Sequence, residues 1–307
     1  MTRVAAVDIG TNSVRLLVAD LPDADGHLDL VPIDRRMQIT RLGEGVDATQ
    51  RLNPRAIERT VAVLTEYGAA IAELGATRVR AAATSAARDA TNRDEFFQAA
   101  TAALGTEPEL LSGQAEAALS FAGATAGLVG EPSPYLVIDV GGGSTEFSLG
   151  VTEPEASVSI DIGCVRITEQ YLHSDPPEPE ELSQAVSVVR DELGDVERQV
   201  PGLRDARTVV GLAGTITTVA AVEQGVPYSR EAVHRFRLRR AAAEDVFRTL
   251  ALEPAAARRE NPGLEPGRVD TIVGGSIVLV GILRAFDLEE ILVSEDDILD
   301  GLARSLA

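Results

Sequence analysis

Two octapeptides, DIGTNSVR at residues 8–15 and DVGGGSTE at residues 139–146, hold the residue types best able to do chemistry, and each is an altered copy of the other. Gly10, Gly141, Gly142 and Gly143 would let the backbone approach a ligand and take positive φ, so that several N–H groups converge on one anion. Thr11, Asn12 and Ser13 in the first copy, and Ser144 and Thr145 in the second, add short polar donors. Asp8 and Asp139 end apolar runs (VAAV and YLVI) and could each ligate Mg²⁺ beside a phosphate. At the eighth position the copies diverge. Arg15 offers a guanidinium fork to the anion, and Glu146 offers a second carboxylate to a metal or a water. One copy alone reads as an ordinary glycine-containing β-turn, whereas two with matched flanks read as a pair of phosphate cradles.

Such turns need strands on both sides. Each copy precedes a second apolar run (LLVA and FSL), so each reads as two β-strands joined by a tight turn. The copies start 131 residues apart. That spacing predicts an α/β protein of two related domains, residues 1–130 and 131–307, each with a mixed sheet, facing one another across a cleft. In the first half, strands near 3–9, 13–20 and 27–33 lead to a glycine-marked loop at 41–46 and a helix at 54–74 with Pro54 in its first turn. A strand VRAAAT, a helix near 92–104, a strand around Leu110 and Leu111 and a helix at 114–127 follow. GEPSPY at 130–135 is the linker candidate. The second half repeats the opening with strands at 135–140, 145–151 and 156–161. A helix at 178–199, a strand VVGLAG, helices near 215–223, 241–251 and 269–285, and a closing strand and helix complete it. The closing helix is free to pack back on the first domain.

Composition narrows the chemistry. With 45% apolar and 25% charged residues the 307-residue chain is ordinary globular material, and no run approaches 18 apolar residues, so no membrane partner is expected. The sequence opens directly on a strand without a secretory signal, and a cytoplasmic location is expected. Cys164 is the only cysteine and the three histidines are scattered, so thiolate zinc sites are excluded and any metal must be held by oxygen, favouring Mg²⁺ or Mn²⁺. Cys164 reads as a buried small hydrophobe. There is no lysine, which excludes a Walker A loop. The net charge is −20; residues 1–130 carry 12 arginines against 17 carboxylates, and residues 131–307 carry 16 against 31. A chain this acidic repels nucleic acid at long range, so no nucleic-acid partner is expected. The run HRFRLRR at 234–240 reads either as a solvated strand edge or as a track for a polyanion.

Beyond the two octapeptides, the chain resembles the exopolyphosphatase and guanosine pentaphosphate phosphatase (Ppx/GppA) family of the actin, sugar-kinase and heat-shock ATPase superfamily. The resemblance rests on ATSAARDATN at 83–92, SGQAEA at 112–117, DIGCVRITE at 161–169, GLAGTITTVAA at 211–221, RVDTIVGGSIVL at 268–279 and SEDDILDGL at 294–302. It implies two actin-like (ribonuclease H-like) domains in a short form that lacks the further C-terminal domains of longer relatives. In the family's S-G-x-x-E-A motif the glutamate is the general base, and here it falls on Glu116. Many relatives carry a second acidic residue just before it, where this chain has Ala115. Arg88 and Asn92 look like phosphate contacts, and Gly214 and Thr215 look like a further phosphate seat at a helix start.

The activity so implied is release of orthophosphate from the end of inorganic polyphosphate. Mg²⁺ (or Mn²⁺) would be held by Asp139 and Glu146 with Asp8, and water would be activated by Glu116. Guanosine pentaphosphate or tetraphosphate is the alternative ligand, a superfamily kinase and a non-catalytic polyphosphate or alarmone sensor are rival readings, and a homodimer is one arrangement left open.

Overall fold

The computed structural model describes residues 2–21 and 30–307. These form two compact units, Met1–Gly123 with Asp296–Ala307, and Ala124–Glu295.

The first unit is built on a five-stranded sheet. Its strands are β1 (Thr2–Ile9), β2 (Ser13–Leu21), β3 (Val31–Ile39), β4 (Arg78–Ala83) and β5 (Glu109–Leu110), in the order β3-β2-β1-β4-β5. β1 pairs antiparallel with β2 and parallel with β4, so the sheet is mixed. The third strand runs later than the 27–33 expected, and residues 27–29 lie outside the described residues. β3 is an edge strand, and Pro32, Asp34, Arg35 and Arg36 are the residue types that keep an edge from pairing further. The helices are α1 (Val46–Thr49), α2 (Pro54–Leu74), α3 (Ser85–Asp89), α4 (Arg93–Leu104) and α5 (Gly113–Thr125). α2 starts and stops where its chemistry dictates. The Asn53 side chain accepts from Arg55 N–H, Pro54 takes the first turn, and Gly75 closes the end in the left-handed region.

The alternation of β1 decides what the first turn can reach. Ala5, Val7 and Ile9 pack in one core with Leu64, Tyr67 and Phe96, while Val4 and Ala6 point to the opposite face, under Ile298, Leu299 and Leu302 of the last helix. By the same period of two, Asp8 points to that opposite face.

The second unit repeats this order. Its strands are β6 (Tyr135–Val140), β7 (Thr145–Gly150), β8 (Pro154–Ile160), β9 (Thr208–Leu212), β10 (Arg237–Arg239) and β11 (Glu290–Val293), ordered β10-β11-β9-β6-β7-β8. Again the first strand pairs antiparallel with the second and parallel with the fourth. Its helices are α6 (Cys164–Tyr171), α7 (Pro179–Leu193), α8 (Val196–Gln199), α9 (Ala213–Gln224), α10 (Arg230–Val233), α11 (Arg240–Leu252), α12 (Ala255–Arg258) and α13 (Ile272–Ala285). α14 (Ile298–Arg304) belongs to the first unit.

Three departures from the expected elements have local causes. The helix expected over 178–199 breaks at Gly194 into α7 and α8. The strand expected through VVGLAG stops at Leu212, because Ala213 takes φ 69° and turns the chain into α9. Helix α6, not expected, starts at Cys164 with Gly163 as its N-cap, just after β8. Among the described residues no helix is long and apolar enough to cross a membrane.

Candidate active site

Each of the two glycine turns closes with the same bond. Gly10 N–H donates to Ser13 O at 2.9 Å, and Gly141 N–H donates to Ser144 O at 3.0 Å. A Cβ on Gly10 would lie 3.2 Å from that carbonyl and one on Gly141 2.9 Å from its own. Tightness of the turn is therefore what calls for glycine. The positive φ expected there is not found: the described glycines with positive φ are Gly45, Gly75, Gly105, Gly130, Gly202 and Gly225.

The segment after the third strand buttresses the turn in both sheets. In the first, Gly43 N–H donates to Thr11 O at 2.8 Å, and Thr40 and Arg41 N–H donate to Asn12 O at 3.0 and 2.9 Å. In the second, the opening N–H groups of α6 do this work. Cys164 donates to Gly141 O at 3.0 Å, Val165 and Arg166 donate to Gly142 O at 2.9 and 3.3 Å, and Arg166 Nε donates to Gly143 O at 3.0 Å. A glycine permits the approach each time, since a Cβ on Gly43 would strike the Thr11 methyl and one on Gly163 the Gly142 carbonyl.

This pinning aims the turns. In a trans peptide the C=O of one residue and the N–H of the next point oppositely. With the carbonyls of Gly141, Gly142 and Gly143 drawn toward α6, the N–H groups of Gly142, Gly143 and Ser144 face the other way, three in succession. The first turn aims the amides of Asn12 and Ser13 in the same manner. Successive amides facing one side form an anion-binding concavity. Asn12 adds a buried carboxamide whose oxygen and nitrogen both lack a hydrogen-bond partner among the described residues.

The strand registers then set the acids. Asp8 lies opposite Arg15, and Asp139 opposite Glu146; directly opposed residues of an antiparallel pair share a face. Arg15 donates from Nε and Nη2 to Asp8 Oδ2 at 2.9 and 2.7 Å, and from Nη1 to Asp297 Oδ2. Asp8 is thus the counter-ion of Arg15. Burial pushes its carboxyl above the ordinary range, Arg15 offsets this, and Asp297 adds to it. In the second turn the opposed pair is two carboxylates, with Asp139 8% and Glu146 2% exposed. Ser159 donates its hydroxyl to Glu146 Oε1 at 2.7 Å. Among the described residues no group of three or more His, Cys, Asp or Glu side chains is arranged to hold a metal. A pair suffices for Mg²⁺, which keeps several waters and takes phosphate oxygens as further ligands, and a hard cation is what two buried, opposed carboxylates accommodate. The donor set of Asp139 and Glu146 fits the ion; Asp8 is committed to Arg15.

Glu116 stands in the first turn of α5, whose start is capped by Ser112 Oγ accepting from Ala115 N–H at 3.2 Å. Arg88, at the end of α3, donates from Nη1 to Leu111 O at 3.0 Å and to Glu116 Oε2 at 3.3 Å. The expected phosphate contact and the expected base are therefore neighbours. Asn92, by contrast, uses its carboxamide on the backbone of Leu52, accepting at 2.8 Å and donating at 3.1 Å.

Two other expectations change in the same way, and one open choice is decided. Thr145 is fully buried and donates its hydroxyl to Ile162 O at 2.6 Å, so it braces the turn instead of facing a ligand. The seat expected at Gly214 and Thr215 is filled by protein. The guanidinium of Arg268, held by Glu265 at 2.7 Å, occupies the space beside Gly214, and Thr215 is buried against Gly275 and Cys164. In HRFRLRR, Arg237 is paired with Glu131 and Glu290, and Arg240 with Asp287 and Glu289, as a solvated edge requires. Cys164 is buried, and burial pushes its thiol up, in keeping with a packing role.

Asp297 and the buttressing glycines Gly43 and Gly163 were not singled out as functional from sequence. The signal for the glycines was a Gly a few residues past the third strand in both halves. For Asp297 it was an Asp opening an apolar run with Asp300 three residues on, a capping-box spacing.

A family model, the Ppx/GppA phosphatase family, matches residues 22–306. The chain belongs to this family. It is 46% identical over 317 residues to Exopolyphosphatase 2 of Mycobacterium tuberculosis, covering 100% of this chain and 99% of that one. The crystal structure of an exopolyphosphatase-like protein is similar with TM-score 0.93 at 35% identity over 100% of both chains. The Aquifex aeolicus PPX-GPPA enzyme is similar with TM-score 0.81 at 34% identity over 99% of each chain. As a Ppx/GppA member of this two-domain α/β architecture, the protein is a phosphatase.

Proposed function

We propose that this phosphatase is an exopolyphosphatase that hydrolyses the terminal phosphoanhydride of inorganic polyphosphate and releases orthophosphate. The observation that carries the reading is the difference between the two turns: one presents its amides beside a buried pair of carboxylates, the other beside an arginine. Phosphoryl transfer asks a protein mainly for positioning and charge neutralisation. The amides of Gly142, Gly143 and Ser144, and those of Asn12 and Ser13, bind phosphoryl oxygens. Arg15, expected to offer its fork to the anion, instead spends it on Asp8 and Asp297, and its part is to hold the first turn in place beside the anion. Asp139 and Glu146 hold a Mg²⁺ ion, whose contribution when bound is to neutralise charge on the phosphate oxygens. Glu116, oriented by Arg88, accepts a proton from the attacking water or aligns it in line with the scissile bond.

Support for polyphosphate as the substrate comes from the relatives named above. Guanosine pentaphosphate presents the same terminal phosphate on another leaving group. The test is orthophosphate release from polyphosphates of graded length and from guanosine pentaphosphate, with Mg²⁺ and with a chelator. Faster release from polyphosphate supports the proposal, faster release from the nucleotide replaces the substrate, and tight binding without turnover replaces the enzyme by a sensor.

A further inference from the structure

We propose that Asp297 is a positioning residue for this reaction: through one carboxylate it locks the arginine of the first phosphate turn, and through its backbone it seats the helix that carries Glu116. The inference rests on the exopolyphosphatase reading above.

Asp297 lies 282 residues from Arg15 in sequence, yet its Oδ2 accepts from Arg15 Nη1. Its other oxygen accepts from Leu299 N–H at 2.9 Å and caps α14. Its own N–H donates to Asp300 Oδ2 at 3.1 Å, and Asp300 is gripped by Arg35 Nη2 at 2.6 and 2.7 Å. One short segment thereby links β2, β3 and α14. All four side chains are at least three-quarters buried, so solvent screens these links weakly.

The second contact is backbone to backbone. A Cβ on Gly123 would collide with the Asp297 carbonyl, and a Cβ on Gly301 with the Leu119 carbonyl. α14 therefore lies directly on α5, with no side chain between them at those points. The first turn of α5 carries Glu116. The alternation of β1 explains the rest, since Val4, Ala6 and Asp8 face the side of the sheet that α14 covers. The segment that begins at Asp297 is thus in register with both the turn that meets the anion and the helix that bears the base.

Asp297→Asn is the informative variant, because Asn caps a helix as well as Asp does but cannot hold Arg15 by charge. Asp297→Ser also caps and is too short to reach Arg15. Both should keep a Tm within about 5 °C of the parent and lose roughly tenfold or more in kcat for orthophosphate release, with KM for polyphosphate within about threefold. The coupling is the discriminating readout. In an Arg15→Gln background, Asp297→Asn should cost no further activity, because the link it serves is already gone. Undiminished kcat in both Asp297 variants, or losses that multiply in the double variant, would overturn the proposal. A wild type inactive on polyphosphate and on guanosine pentaphosphate would instead sink the functional reading, and this proposal with it.

Discussion

Asp139 faces Glu146 across the β6–β7 ladder, two buried carboxylates in direct register where the first sheet sets Asp8 against Arg15. The duplicated turn has kept its shape and exchanged its charge. Two opposed carboxylates are a donor set that a hard cation suits, which is why the proposed function puts Mg²⁺ at the second turn and not the first.

Glu146→Gln removes one of two like charges at a buried position. Mg²⁺ should raise the Tm of the parent and leave the variant unmoved, because an ion that binds only the folded state stabilises it. Thermal unfolding with and without Mg²⁺ reads this directly, and equal stabilisation of both proteins would remove Glu146 from the metal site.

Glu116→Gln preserves shape and the contact with Arg88 while removing the proton acceptor. Orthophosphate release should fall by about 10² to 10⁴, the range for loss of a general base, with polyphosphate Kd within about threefold. Arg88→Lys should lose about tenfold, because a lysine ammonium on its flexible stem does not reproduce the fixed position from which Arg88 Nη1 meets both Leu111 O and Glu116. Steady-state kinetics beside a binding titration separates these effects, and normal turnover in Glu116→Gln would require another base.

Gly163→Ala would drive a methyl into the Gly142 carbonyl, a backbone atom held by α6. Overpacking of this kind costs about 1–3 kcal/mol. Because relief requires shifting the turn, KM for polyphosphate should rise along with the loss of stability seen in denaturant unfolding. A variant with unchanged KM and stability would show that the turn does not depend on its buttress.

Much of this site was legible in the residues, and the limits were physical. Matched Asp, Gly and Ser positions on apolar flanks sufficed to place both turns and their strands, because a period of two and a tight turn are local properties. Glu116 was singled out only through the family motif, since an exposed glutamate on an Ala-rich helix has the same local pattern. Partners set by tertiary packing were not readable: nothing local shows that Arg15 meets Asp297, that Thr145 turns inward to Ile162, or that Arg268 fills the space beside Gly214. The break at Gly194 and the left-handed Ala213 escaped for a related reason, as each follows from where the chain must go next and not from propensity.

Asp8 supplies a pH test. Burial raises its carboxyl above the unfolded value of about 3.9, so the native state holds this proton more tightly than the unfolded chain. Its contribution to stability is therefore fully present below about pH 3.9 and is lost as pH rises through the folded value. Asp8→Asn does not titrate, and its stability relative to the parent should increase between about pH 4 and 7. Denaturant unfolding of both proteins across that range checks the sign; a difference that shrinks with pH would show that Arg15 outweighs burial.

The most direct measurement is orthophosphate release from long-chain polyphosphate by the purified wild-type protein, followed as Mg²⁺ is supplied and then withdrawn by a chelator. Steady release with Mg²⁺, progressive shortening of the chain from its ends, and arrest on chelation are the results expected of the proposed exopolyphosphatase with its ion at Asp139 and Glu146. Release that continues undiminished in the chelator, or none at all while polyphosphate remains bound in Mg²⁺, would contradict it.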